Sequence, residues 1–148
     1  MLGVRSTDGA AMAEHPNGIV VRRFFKAQAA NDLATMVEIL AEDIVWHLPR
    51  GGTRLNMEPT VIGLGELAEM SVRNFEASEG MFRFEVERVF AGDTYAAVVT
   101  HNTATAADRS LDRYMVIQFK IDDGKIVEVW ESPDDIDAFT SFWRIIHM

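Results

Sequence analysis

A hairpin between Arg109 and Ser132 constrains the fold of this chain more than any other segment. It reads RSLDRYMVIQFKI, then the turn Asp122-Asp123-Gly124, then KIVEVWES, with an acidic, aromatic tail, PDDIDAFTSFW, behind it. An Asp-Gly step between two β-rich runs is a strong hairpin signal, because the turn needs positive φ where Gly costs nothing. The strands are long for a small protein. Ten or more residues at about 3.3 Å each span roughly 35 Å, which a compact domain can hold only if the sheet bends. A strongly curved sheet with helices at one end makes a cone with a cavity, and cavities are where small molecules bind.

The chain has 148 residues, enough for one domain with a real core and too few for two ordinary ones. Its net charge is −9, from 23 acids against 14 bases. That balance argues against nucleic acid and anionic membrane as partners, since both demand clustered Lys and Arg. Arg22, Arg23 and Lys26 come nearest to a basic cluster, and they read as the wet side of a helix. There is no cysteine, so disulfides, thiolate chemistry and cysteine zinc sites are excluded. No apolar run approaches the roughly 20 residues of a membrane span, and the opening MLGVRSTDGAAMAE lacks the apolar stretch of a signal peptide. The expectation is a soluble, cytoplasmic protein.

Residues 1–14 lack periodicity and read as a disordered lead-in, leaving 15–148 as a single domain. Pro16 suits a helix's first turn, and Val20, Val21, Phe24, Phe25 and Gln28 line one face behind it. Asn31 or Asp32 caps a second helix, in which Leu33, Met36, Val37 and Leu40 follow the i, i+3, i+4, i+7 spacing. A short strand runs from Asp43 to Leu48, ended by Pro49, and residues 50–62 read as a loop near a cavity mouth. A third helix covers Gly65 to about Glu76, with Leu67, Met70, Ser71 and Phe75 inward. Strands follow at Phe82–Phe90, Thr94–Ala106, Ser110–Ile121 and Lys125–Ser132. Helices gathered early and strands late predict an α+β fold: a curved, mostly antiparallel mixed sheet packed on three helices of the N-terminal half.

Two stretches carry a family resemblance. VVRRFFKAQAANDLATMVEILAEDIVWHLPRGG and DDGKIVEVWESPDDIDAFTSFW resemble the opening and close of SnoaL-like, ketosteroid-isomerase-related proteins of the nuclear transport factor 2-like superfamily. The match runs over roughly residues 16–143 and implies that superfamily's cone-shaped fold. The fold carries isomerases, dehydratases, cyclases, epoxide hydrolases and non-catalytic binding domains, so it does not by itself imply one activity. Ketosteroid isomerase works with an Asp base and an oxyanion hole of a Tyr and a protonated Asp. On the family pattern those positions fall on Leu48, Phe24 and Ile117, none of which can move a proton. An Asp-Arg-Asp set of the limonene-epoxide-hydrolase kind would match Arg113 but meet Met115 and Ser132 in place of the acids. Of the paired histidines used by scytalone dehydratase, only His101 is a credible counterpart.

The same pattern with strand alternation yields an inward-facing set: Trp46 and Leu48; Val99, His101 and Thr103; Arg113, Met115, Ile117 and Phe119; Val127, Val129 and Glu131. His101, Glu131 and Arg113 are then three ionisable groups in an apolar cavity, and a His beside a carboxylate is a candidate general acid/base. The alternatives are a structural His101 and a plain Arg113–Glu131 ion pair across strands. Phe24, Trp46, Leu48, Met57, Val99, Thr103, Met115, Ile117 and Val129 are the candidate ligand-lining residues. His47, Glu128 and Trp130 fall on the outer face with Tyr114, Val116 and Ile126, an apolar-aromatic patch expected to join two copies in a homodimer. Asp134, Asp135 and Asp137 read as caps of a C-terminal turn. No metal or organic cofactor is expected. Two functions stay open: a lyase, isomerase or hydrolase acting on an apolar, cyclic substrate, and a non-catalytic module that binds an apolar ligand or a protein.

Overall fold

The computed structural model of the protein describes residues 14–49, 60–106 and 109–147. The elements run α1 (Pro16–Ala30), α2 (Leu33–Ile39), β1 (Leu40–His47), β2 (Thr60–Ile62), α3 (Leu64–Ala77), β3 (Arg83–Ala91), β4 (Tyr95–Ala106), β5 (Arg109–Asp122), β6 (Lys125–Pro133) and α4 (Ile136–His147). The strands form one six-stranded sheet in the order β2-β1-β6-β5-β4-β3. Only β1 and β6 pair in parallel; the other neighbours are antiparallel. The sheet is curved and open, and the expected α+β cone is what the chain forms.

Local chemistry explains most element ends. Pro16 occupies the first turn of α1, and the His15 ring accepts the Asn17 N–H at 3.1 Å, satisfying one orphan donor. Asn31 stops α1 in the left-handed conformation, φ 56°. Asp32 then caps α2, accepting from the Thr35 N–H at 3.1 Å and the Thr35 hydroxyl at 2.7 Å. In the β5–β6 hairpin Asp122 pairs with Lys125, and Asp123 and Gly124 turn with φ 52° and 77°. Two successive positive φ values are the type I′ signature that the Asp-Gly step predicts.

The core sits between the concave face of the sheet and α1. Phe24, Phe25 and Phe119 form its centre, with ring centroids 5.1 to 5.9 Å apart, and Val21, Ile44, Ile117, Ile126 and Val129 close around them. A second cluster lies at the far end of the hairpin, where Phe142 and Trp143 of α4 pack on Ala104, Ala106 and Leu111. The two alanines leave room for the α4 rings.

Four expectations need correction. Residues 50–62 are not all loop, because Thr60–Ile62 form an edge strand on β1. The tail is a full helix, α4, capped by Asp135, which accepts the Ala138 N–H at 2.9 Å. The α2 stripe faces inward only in part: Leu33 and Val37 are 70% and 62% exposed, while Met36 packs against the core and Leu40, with Ile39, is buried. A seven-residue helix that turns straight into a strand swings its first turn away from the core. In α3, Leu67 and Met70 are buried as expected, but Ser71 and Phe75 are exposed. The lead-in, apart from Glu14, lies outside the described residues.

Phe119 is fully buried and touches two other rings, so Phe119→Ala should cost about 3–5 kcal/mol of stability. Leu33→Ala should change it by less than about 0.5 kcal/mol. Urea unfolding followed by circular dichroism checks both values, and equal costs would restore Leu33 to the core.

Candidate functional site

Glu131 is the centre of the candidate site. It follows Val129 by two residues on β6 and pairs across to Ile117 of β5, so its side chain shares the concave face with theirs. On the other flank, the parallel pairing of Trp46 with Val129 sets the indole beside it. The Trp46 Nε1–H donates to Glu131 Oε2 at 2.7 Å, the only hydrogen bond of the Glu131 side chain among the described residues. Phe24 from α1 sits over the indole with centroids 5.7 Å apart.

The electrostatics follow from that setting. Burial disfavours the carboxylate and pushes Glu131 up to about 7, against the Trp46 hydrogen bond, which favours the charged form. The residue as a whole is half-buried, while its carboxyl group is enclosed by protein. A carboxyl poised near neutrality can both donate and accept a proton. Among the described residues Glu131 belongs to no trio of potential metal ligands.

The structure brings Trp46 and Glu131 together, with Phe24 and a half-buried Leu48 against the same core. Met115, Ile117 and Val129 also lie on the concave face as expected. With exposures of 1%, 1% and 0% they are closed core beneath the site, with no open ligand-facing surface. Met57 lies outside the described residues.

Arg113 lies opposite Asn102 at the open end of the concave face. It does not meet Glu131. Its Nη2 lies 3.4 Å from Asp135 Oδ2, tying β5 to the cap of α4.

Val99, His101 and Thr103 are on the convex face, the reverse of expectation. Along β4 the buried residues are Ala96, Val98, Thr100, Asn102, Ala104 and Ala106. Both phases of this strand mix small, apolar and polar residues, so alternation carries no contrast, and one residue of slip exchanges the faces. The inward polar residues that the sequence reading missed are Thr100 and Asn102, 0% and 1% exposed; the Thr100 hydroxyl donates to Asn102 Oδ1 at 2.6 Å. A buried side-chain pair that satisfies itself looks hydrophilic in a sequence. On β6 a bulge leaves Val127 without a β5 partner and turns Ile126 into the core, against the expected assignment of both.

On the convex face His101 Nε2 lies 2.5 Å from Asp112 Oδ1, and its ring stacks on Tyr114 at 4.8 Å. The Asp112 hydrogen bond holds the imidazole above its ordinary pKa in spite of some desolvation, with Glu85 and Glu87 adding to the effect. His47 lies on this face as expected, 2.6 Å from Glu128 and stacked on Trp130 at 5.3 Å.

The SnoaL-like domain family model matches residues 21–129. A comparison with curated protein sequences finds no match. Among solved structures the chain is similar to Bal32a from a soil-derived mobile gene cassette, at 25% identity and TM-score 0.80, covering 86% of this chain and 96% of that one. It is also similar to a protein of unknown function with a cystatin-like fold from Xanthomonas campestris, at 26% identity and TM-score 0.77, covering 84% and 95%. IdmH, a putative polyketide cyclase from Streptomyces antibioticus, shares the fold at 18% identity and TM-score 0.70, covering 89% and 99%.

The raised pKa makes stability depend on pH with a defined sign. The folded state holds the Glu131 proton up to about 7, above the ordinary value of 4.5. Its contribution is therefore full below about 4.5 and is lost as pH rises through about 7, a swing of about 3 kcal/mol. Glu131→Gln should remove that decline, so the variant's stability relative to wild type should rise between pH 4.5 and 8. Urea midpoints across that range check it, and a flat difference would mean an ordinary surface carboxylate.

Proposed function

The chain belongs to the SnoaL-like domain family, and on that footing we propose that it is a small-molecule enzyme of the lyase, isomerase or cyclase type. Glu131 acts as the general acid/base on an apolar, cyclic or cyclising carbonyl compound. The observation that carries this reading is the Glu131 carboxyl, enclosed in an apolar face, pushed up to about 7 and held by one indole N–H. The ketosteroid isomerase positions hold Phe24, Leu48 and Ile117, so proton transfer falls to a different residue here.

In the proposed cycle the Glu131 carboxylate takes a proton from carbon next to a carbonyl, and the electron pair moves into an enolate. The neutral acid then returns the proton to the rearranged product. The Trp46 N–H fixes the carboxyl orientation in both states, and it limits how far burial raises the pKa. A fold shared with a putative polyketide cyclase is in keeping with a substrate of linked ketones.

A second reading, binding without catalysis, draws on the closed state of Met115, Ile117 and Val129. Turnover separates the two. With a substrate found among aromatic and polyketide-like ketones, kcat/KM should rise with pH through about 7, and Glu131→Gln should lower kcat by roughly 10²–10⁴-fold. Ligand binding, read as quenching of Trp46 fluorescence, should survive that change. Retained turnover in Glu131→Gln would refute the assignment.

We also propose self-association through the convex face, where Phe90, Tyr95, Tyr114 and Val116 are 59%, 56%, 47% and 37% exposed. Such a cluster of large apolar side chains on one sheet face marks an interaction surface. Sedimentation velocity at micromolar concentration should give a dimer mass, and Val116→Glu should give a monomer. A wild-type monomer would defeat the proposal.

A further inference from the structure

The convex face carries a second group of chemically capable side chains, remote from Glu131. Glu85 of β3 pairs directly with His101 of β4, so their side chains rise on the same face. The β3–β4 register then shifts between Val86 and Arg88, leaving Glu87 as an extra residue beside them. Bulges of this kind re-aim a side chain. One ligand atom from each of Glu85, Glu87 and His101 lies within 4.8 Å of the other two, and His101 Nδ1 is 3.8 Å from Glu85 Oε1.

The imidazole is oriented from behind. Asp112 on β5 takes the Nε2–H at 2.5 Å, and the Tyr114 ring lies against the imidazole face with an interplanar angle of 19°. With Nε2 turned to Asp112, the ring presents Nδ1 on the side of Glu85, with Glu87 beside it. A carboxylate behind a histidine is the arrangement that steadies metal-binding imidazoles and fixes their tautomer.

Charge argues the same way. Asp112 alone would satisfy an imidazole that needed only one partner. Glu85 and Glu87 bring the carboxylates around it to three, and an imidazolium cannot balance them. Arg88, the other residue at the bulge, makes no ion pair with them among the described residues.

We propose that Glu85, Glu87 and His101 form a binding site for a divalent transition ion of the Zn²⁺ class. One nitrogen and two oxygen donors suit zinc and its neighbours, and a solvent-facing position remains for water. Ligand atoms around a tetrahedral Zn²⁺ stand about 3.3 Å apart, so two exposed glutamates need to close by about 1.5 Å at most. Because β3 is the edge strand, the ion would clamp that edge to β4 and, through Asp112, to β5. It would lie on the other side of the sheet from Glu131 and take no part in proton transfer there.

Chelator-treated full-length protein should be titrated with ZnCl₂ by calorimetry, with melting curves recorded in parallel. One Zn²⁺ should bind per chain and raise the melting temperature. Glu87→Gln and His101→Gln should each weaken binding by more than tenfold, and Asp112→Asn by about tenfold. All three positions are solvent-exposed or only half-buried, and unchanged circular dichroism confirms that the variants fold. On Zn²⁺ addition the nitrogen resonance that shifts should be His101 Nδ1, with Nε2 still protonated. Absence of saturable binding would overturn the proposal, leaving His101 as a plain ion pair. Equal affinity in wild type, Glu87→Gln and His101→Gln would overturn it too.

Discussion

The hydrogen bond from Trp46 to Glu131 ties together two parts of the chain that are 85 residues apart. Each partner is awkward without the other. A buried indole N–H with no acceptor costs about 1–3 kcal/mol, and an enclosed carboxyl with no donor costs more. The bond forms only because β1 lies parallel to β6 with Trp46 opposite Val129. A slip of one residue on either strand would send one partner to the convex face and leave the other buried alone. Burial of two polar groups thus helps fix the register of the only parallel pair among the described strands.

That constraint also explains which parts of the site were legible in the sequence. On β1 the contrast of Trp46 with His47 agrees with the family pattern; at the end of β6 hydropathy alone would turn Trp130 inward, and it is the family pattern that put Glu131 inward with Trp46. The β5–β6 turn was legible because Asp123 and Gly124 suit a conformation that few residues tolerate. β4 offers no such contrast. Val98 and Val99 are interchangeable by hydropathy, Ala96 and Ala97 are identical, and the polar residue that faces inward is Asn102, whose partner Thr100 is invisible to a one-residue reading. His101 drew the functional assignment by its chemistry, although its strand gave no phase.

The helices show the complementary limit. In α2 the spacing of Leu33, Met36, Val37 and Leu40 is helical, but periodicity reports a stripe and not what lies opposite it. The chain leaves the helix at Leu40 to enter the sheet, so burial concentrates at that end. α4 had every local signal of a helix: Asp135 at its cap and Phe139, Phe142 and Trp143 along one side. Its acidic beginning, Asp134, Asp135 and Asp137, reads equally well as a turn. What decides for the helix is the platform of Ala104, Ala106 and Leu111, supplied by two other strands. Non-local packing of that kind lies beyond any window of sequence.

The two faces of the sheet handle their titratable groups by opposite means. Glu131 is raised because enclosure penalises its charge, with one hydrogen bond pulling the other way. His101 is raised because Asp112, Glu85 and Glu87 reward its charge, with some desolvation pulling the other way. The shifts share a direction and differ in cause, so they differ in what can alter them. Mobile ions screen carboxylates at an exposed face, but they do not reach an enclosed carboxyl. The proton affinity of His101 is therefore open to salt and to any cation that settles among its neighbours. That of Glu131 answers to whatever fills or wets the concave face, which is the coupling a general acid/base needs if its proton is to move when a substrate arrives.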